Sequence, residues 1–212
     1  MSIHALVMEP FFRIIEFTAV TAGALYGILL ARSKGLDFVG VFSLAFIVAF
    51  GGGTLRDLFL DRHPLFWIAH EIYPITVFGL ALLSSFFRSL PKGLTKLLYL
   101  PDALGLGLFS VLGTQFALDY GATWFVASLL GVVTGSFGGV MGEVICNEVP
   151  SLFSSLSPLY ATCAFVGNWL FLLLHYAPLS EPTRVLCGIA AIVVIRLIAL
   201  RWNLCLPNRT VS

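Results

Sequence analysis

Phe50-Gly51-Gly52-Gly53-Thr54-Leu55-Arg56-Asp57-Leu58-Phe59-Leu60-Asp61 places three consecutive glycines and three charges at the end of an apolar run. Glycine in a helix interior costs about 1 kcal/mol relative to alanine. A charge at bilayer depth costs at least about 2.5 kcal/mol on insertion scales. A segment carrying both penalties implies a use for them. A second such stretch, Gly138 to Pro150, lies 86 positions further on and carries Gly138-Gly139, Glu143 and Asn147.

The surrounding chain sets the solvent in which these charges sit. Of 212 residues, 58% are hydrophobic and 11% are charged, with a mean hydropathy of +0.97. Soluble domains carry about 25% charged residues, so too little polar surface is available to cover a water-soluble globule. The chain reads as an integral membrane protein in contact with a lipid bilayer. Its formal net charge of +1 points to no nucleic-acid partner. Cys146, Cys163, Cys187 and Cys205 are widely spaced in apolar runs and read as packing residues, not as a metal set. The first apolar run is preceded by Glu9, Arg13 and Glu16 instead of a basic leader.

Seven apolar segments follow one another near 10–31, 38–55, 72–87, 97–118, 122–146, 158–177 and 183–203. A spanning helix needs about 20 apolar residues. Inside hydrocarbon every backbone polar group needs an internal partner, which leaves helices or closed barrels. The segments are too long and too uniformly apolar for barrel strands. The fold class is therefore all-α, with seven transmembrane helices in one domain over 1–212. Basic residues set the orientation. Arg32, Lys34, Arg88, Lys92, Lys96, Arg201 and Arg209 fall on one side, and Arg13, Arg62 and Arg184 on the other. The richer side is the cytoplasmic one, which puts the N-terminus outside and the C-terminus inside.

Sliding Glu16–Phe66 onto Asp102–Leu152 gives only seven identities in fifty-one positions, barely above chance in so apolar a chain. The kinds of residue that match are more telling. Gly27 meets Gly113, Gly35 meets Gly121, Gly52-Gly53 meets Gly138-Gly139, and Pro64 meets Pro150. Acids meet at Glu16/Asp102 and Asp57/Glu143, and Asp61 meets Asn147. Small residues at four-residue spacing (Ala19, Gly23, Gly27, Ala31; Ala45, Ala49, Gly53; Ala127, Gly131, Gly135, Gly139) also suit close helix packing. Three helices per copy make the second copy enter from the opposite side. The plan is two inverted repeats, 10–90 and 97–177, with a seventh helix at 183–203 outside them.

No residue set suggests catalysis; His4, His63, His70 and His175 are scattered and no nucleophile motif appears. The chain is read as a non-enzyme without a bound cofactor. The charges suggest passage. A glycine break would split a helix and expose carbonyls that coordinate a cation, while nearby acids concentrate it. The expected pathway residues are Gly51, Gly52, Gly53, Arg56, Asp57 and Asp61 in the second helix, and Gly138, Gly139, Glu143 and Asn147 in the fifth. Asp61 is read as one turn beyond Asp57 on the same face, with Glu143 and Asn147 repeating the spacing. The competing reading makes Arg56–Asp57 and Arg62–Asp61 salt bridges at a helix end. Secondary candidates are Glu16, which Arg13 would neutralise, Asp102, which suits a helix start, and Arg196. Two fates stand for Arg196: pairing with a buried acid, or snorkelling.

At these residues the chain resembles the bacterial branch of the trimeric intracellular cation (TRIC) channels, also known as the glycine transporter domain family. The resemblance is carried by Phe50-Gly-Gly-Gly-Thr-Leu-Arg-Asp57 with Arg62-His63-Pro64, by Pro101-Asp102-Ala-Leu-Gly105, and by Gly138-Gly139 with Cys146-Asn147-Glu148-Val149-Pro150. It extends from about residue 10 to 203. It implies a homotrimer in the cell inner membrane with one pore per protomer, lined by the second and fifth helices and passing monovalent cations, chiefly potassium. Many members carry Arg-Asp after the second glycine pair; here Gly142-Glu143 stands there, and the inner positive charge is missing. Secondary transport of a small zwitterion such as glycine is the alternative function, since it too uses inverted repeats.

Overall fold

The computed structural model describes residues 3–87, 98–154 and 157–206. The described residues are helical, in the order α1 (Ile3–Ser33), α2 (Phe38–Phe59), α3 (Phe66–Ala69), α4 (Ile72–Ser85), α5 (Tyr99–Asp119), α6 (Trp124–Ile145), α7 (Ala161–Leu173) and α8 (Glu181–Trp202). A 3-10 turn, Leu174–Tyr176, extends α7. The sequence segments correspond to all of these except α3, a single turn that the apolar pattern did not reveal. The basic residues Arg88, Lys92, Lys96 and Arg209, which set the orientation, lie outside the described residues.

Local chemistry explains the boundaries. Gly35 takes φ 71° after α1, and Asp37 then caps α2 by accepting from the Gly40 amide at 2.8 Å. Gly121 takes φ 82° after α5, and Thr123 caps α6 by accepting from the Val126 amide at 3.5 Å. A side-chain oxygen at the N-cap satisfies an amide that the helix leaves orphaned. α2 and α6 end alike as well. The chain turns left-handed at Asp61 (φ 51°) and Asn147 (φ 56°), and the Arg62 and Glu148 amides reach back to the Asp57 and Glu143 carbonyls at 2.8 and 2.9 Å. All of these pairs are 86 positions apart.

Among the described residues, four helices are long and apolar enough to cross a membrane: residues Glu9–Ser33, α2, α6 and α8. α4 and α7 with its turn are shorter apolar helices. α5 is the buried axis. Its side chains from Asp102 to Thr114 are almost all inaccessible, and it lies against α1, α6 and α8. α2 lies against α1, α4 and α6. The outer faces present Ile14, Val39, Leu58, Phe86, Phe125 and Leu186, all exposed. Large apolar side chains pointing outward are what a lipid solvent permits, because packing and not water drives helix association there.

The expected glycine breaks are absent. α2 is helical from Phe38 through Gly51, Gly52 and Gly53 to Phe59, and α6 is helical through Gly138 and Gly139. The glycines serve close approach instead. A Cβ on Gly52 would run into the Thr134 carbonyl of α6, and a Cβ on Gly138 would run into the Val48 carbonyl of α2. The two contacts are reciprocal, since 52 and 138, like 48 and 134, differ by 86. Gly53 is closed off by the ring of Phe66, so neighbouring glycines about 100° apart face two different partners.

Candidate functional site

Two buried charge clusters flank the contact between α2 and α6. The first is built on Arg56, which is fully inaccessible. Its Nε donates to Asp57 at 2.8 Å and an NH2 donates to Glu16 of α1 at 3.3 Å. Tyr73 of α4 donates its hydroxyl to the other Glu16 oxygen at 3.0 Å. The Phe66 amide donates to Asp57 at 2.8 Å, and Arg62 stands 3.5 Å from the same carboxylate. The Phe116 ring lies near both guanidinium groups, 4.5 Å from Arg56 and 4.4 Å from Arg62. Taking an ion out of water costs several kcal/mol, recovered only with good pairing. Here two acids meet two guanidinium groups, so the cluster balances.

Three sequence expectations change at this cluster. Arg13 bridges Glu9 at 2.6 Å, so Arg56 and not Arg13 neutralises Glu16. Arg62 faces Asp57, not Asp61. Asp61 has an almost wholly exposed side chain beside His63, because the left-handed turn at φ 51° swings it away from the Asp57 face. Asn147 is exposed for the same reason at φ 56°. The Arg56–Asp57 pair is a salt bridge in the last turn of α2, as the competing reading had it, and it is part of the buried cluster.

The second cluster is built on Asp102, in the first turn of α5. Tyr160 donates to one carboxylate oxygen at 2.6 Å, and Arg196 of α8 lies 3.3 Å from the other. The Arg196 guanidinium also donates to the Pro158 and Leu159 carbonyls at 2.9 and 2.8 Å and sits 4.4 Å from the Tyr160 ring centroid. Of the two fates for Arg196, the structure selects pairing with a buried acid. Glu143 is held differently. It accepts from the Ser151 amide at 2.8 Å, the Ser151 hydroxyl at 2.7 Å and the Tyr26 hydroxyl at 3.2 Å. Among the described residues no cation pairs with it.

Beside the second cluster lies a cavity of about 20 Å³, room for about one water. Gly23 of α1, Val48 and Gly52 of α2, Asp102 and Gly105 of α5, Thr134, Gly138 and Gly139 of α6, and the Tyr26 and Tyr160 side chains line it. The structure thus brings Gly52, Gly138, Gly139 and Asp102 of the expected residues to one cavity. Glu143 joins it through Tyr26. Gly51, Gly53, Arg56 and Asp57 do not line it. Sequence reasoning missed the three tyrosines Tyr26, Tyr73 and Tyr160, and Ser151. Tyr73 and Tyr160 were findable, because they lie 87 positions apart and each serves the acid at the matching site.

The family model described as "Glycine transporter" matches the chain in two blocks, residues 13–89 and 99–176, whose starts are 86 positions apart. The chain belongs to that family. It is 34% identical over 196 residues to a UPF0126 membrane protein of Vibrio cholerae, covering 92% of this chain and 81% of the relative. It is 32% identical over 197 residues to the UPF0126 inner membrane protein YadS of Escherichia coli K12, covering 92% and 94%. Among solved structures it superposes on the TRIC trimeric intracellular cation channel orthologue of Rhodobacter sphaeroides with a TM-score of 0.85 and 31% identity, over 92% of this chain and 100% of that one. A further TRIC cation channel structure, solved to explain conductance, matches with a TM-score of 0.84 and 28% identity over 95% and 98%. This member of the glycine transporter family therefore has the TRIC channel fold over more than nine-tenths of its length.

Proposed function

We propose that this protein is a homotrimeric channel for monovalent cations, potassium above all, in the inner membrane, with one pore in each protomer. The carrying observation is the match to TRIC cation channels over nearly the whole of both chains. The relative named as an inner membrane protein supports the location. The 86-residue correspondence of caps, left-handed exits, reciprocal glycines and matched blocks supports two inverted three-helix repeats with α8 outside them. Seven helices then cross the bilayer, with the N-terminus outside.

In this reading the pathway runs between α2 and α6, through the glycine-lined cavity. A dehydrated potassium ion wants oxygen ligands. The residues lining the cavity that carry side-chain oxygens include Asp102, Tyr26, Tyr160 and Thr134. The cavity holds only about one water, so this conformation is closed, and conduction needs α2 and α6 to part. Single-channel recording of purified protein in a planar bilayer tests the reading, with unitary potassium currents as the expected result. The family's description favours a second function, glycine transport. Saturable, gradient-dependent glycine uptake without unitary currents would replace the channel by the transporter.

A further inference from the structure

We propose that Arg196 of α8 determines how strongly the central cavity attracts cations, acting through Asp102 as the displaced partner of the second cluster. The inference rests on the channel reading. In the first half, Arg56 on α2 pairs with Glu16 on α1, and Tyr73 donates to the same acid. Glu16 corresponds to Asp102, and Tyr160 occupies the role of Tyr73. The arginine that would complete the match belongs at position 142, where the chain has glycine. A side chain there would press on its neighbours: a Cβ on Gly142 would stand 2.6 Å from Cγ2 of Val48 and 3.5 Å from Cδ2 of Leu30. The guanidinium arrives instead from α8, outside the repeated part, and reaches the same kind of acid from behind.

The substitution is not equivalent, and the difference bears on permeation. Arg56 is not among the residues lining the cavity, and neither is its acid Glu16. Asp102 and Tyr160 both line it. Arg196 therefore neutralises an acid that a passing ion meets, while Arg56 neutralises one that it does not. Arg196 is held in place whatever the state of Asp102, because its NH1 donates to the Pro158 and Leu159 carbonyls and its plane rests on the Tyr160 ring. The Leu159 amide in turn donates to the Leu204 carbonyl at 2.8 Å, which fastens the start of α7 to the end of α8. Glu143, with donors but no cation, leaves the second cluster one positive charge short of the first. Arg196 is the one arginine or lysine among the described residues that pairs with an acid of this half inside the helix bundle.

The test is potassium conductance at low ionic strength, with reversal potential under a potassium chloride gradient, for reconstituted wild type, Arg196→Gln, Asp102→Asn and the double variant. Releasing Asp102 from its partner should raise low-salt conductance roughly threefold in Arg196→Gln and shift the reversal potential further toward potassium. Leaving Arg196 without its acid should lower conductance by a similar factor in Asp102→Asn, and the double variant should conduct better than Asp102→Asn. All differences should shrink at high salt as charges are screened. A purely structural role predicts losses in every variant and no opposed signs. Arg196→Gln trimers with wild-type conductance and reversal potential would overturn the inference. If Arg196→Gln does not fold, Asp102→Asn conducting as well as the double variant would overturn it equally. Absence of potassium current in the unaltered protein would remove the channel reading and this inference with it.

Discussion

The two charge clusters are built to one plan and balanced differently. Around Arg56, two carboxylates meet two guanidinium groups, and both arginines come from α2 or the turn that follows it. Around Asp102 and Glu143, two carboxylates meet one guanidinium, which comes from α8. A buried ion is tolerated when paired and hydrogen-bonded. The first cluster meets that demand with charge. The second meets it partly with neutral donors, the Ser151 amide and hydroxyl and the Tyr26 hydroxyl around Glu143. The lesson is that two places 86 positions apart can match in the location of a demand and differ in the residue that satisfies it.

That contrast can be broken most directly at Arg56. Arg56→Met leaves Glu16 and Asp57 buried without their main partner and should cost about 3–5 kcal/mol of stability, read as loss of folded protein in detergent. If Arg56→Met unfolds at the wild-type temperature, the first cluster is not held by charge. Next in size are the reciprocal glycines. Gly52→Ala and Gly138→Ala each press a methyl onto a backbone carbonyl that cannot rotate away, at about 3 kcal/mol. Gly139→Ala, whose nearest neighbour would be the Tyr160 hydroxyl at 3.4 Å, should stay within about 0.5 kcal/mol. Thermal unfolding of the three variants side by side distinguishes close approach from general loss of glycine.

The isosteric acid variants sharpen the comparison further. Asp57→Asn leaves Arg62 without its acid and Arg56 with Glu16 alone, and should destabilise by about 3 kcal/mol. Glu143→Gln keeps an acceptor for its donors and strands no cation, so it should cost about 1 kcal/mol or less. Equal losses would mean that Glu143 has a cationic partner after all. The smallest effect lies at the edge of the second half, where Lys34 bridges Glu148. The hydrogen bond to Glu148 holds the Lys34 ammonium above its ordinary value of 10.5. A raised lysine stabilises the fold fully below its unfolded value and loses that contribution as pH climbs through the folded one. Stability should therefore be flat across neutral pH on account of this pair and decline only in strong alkali. Lys34→Met should remove that alkaline limb in a melting-temperature profile.

Much of the architecture was legible because membrane cost makes certain residues deliberate. The apolar runs marked the helices, and the glycines, prolines and acids at an 86-residue offset marked corresponding places in the two halves. The one-turn helix α3 was not legible, since four residues carry no period. The expectation of broken helices failed at Gly51–Gly53 for a physical reason. Glycine weakens a helix by itself, yet here the facing helix packs so tightly that only glycine fits, and the helix continues. The partners of Glu16 failed for a similar reason. Arg13 is near in sequence, but Arg56 is near in space.

By itself, the sequence determined the solvent, the helical class, the positions of the buried charges and the correspondence between the halves. Each follows from local composition and spacing. Only the tertiary structure decided which charges meet. It sent Asp61 and Asn147 out to the surface through left-handed exits. It closed Gly52 and Gly138 against opposite carbonyls. It also brought Arg196 across from α8 to the acid that the missing arginine of the opening stretch's counterpart left unserved. Pairing at 3 Å depends on helix rotation and crossing, and these are set by packing between segments far apart in the chain.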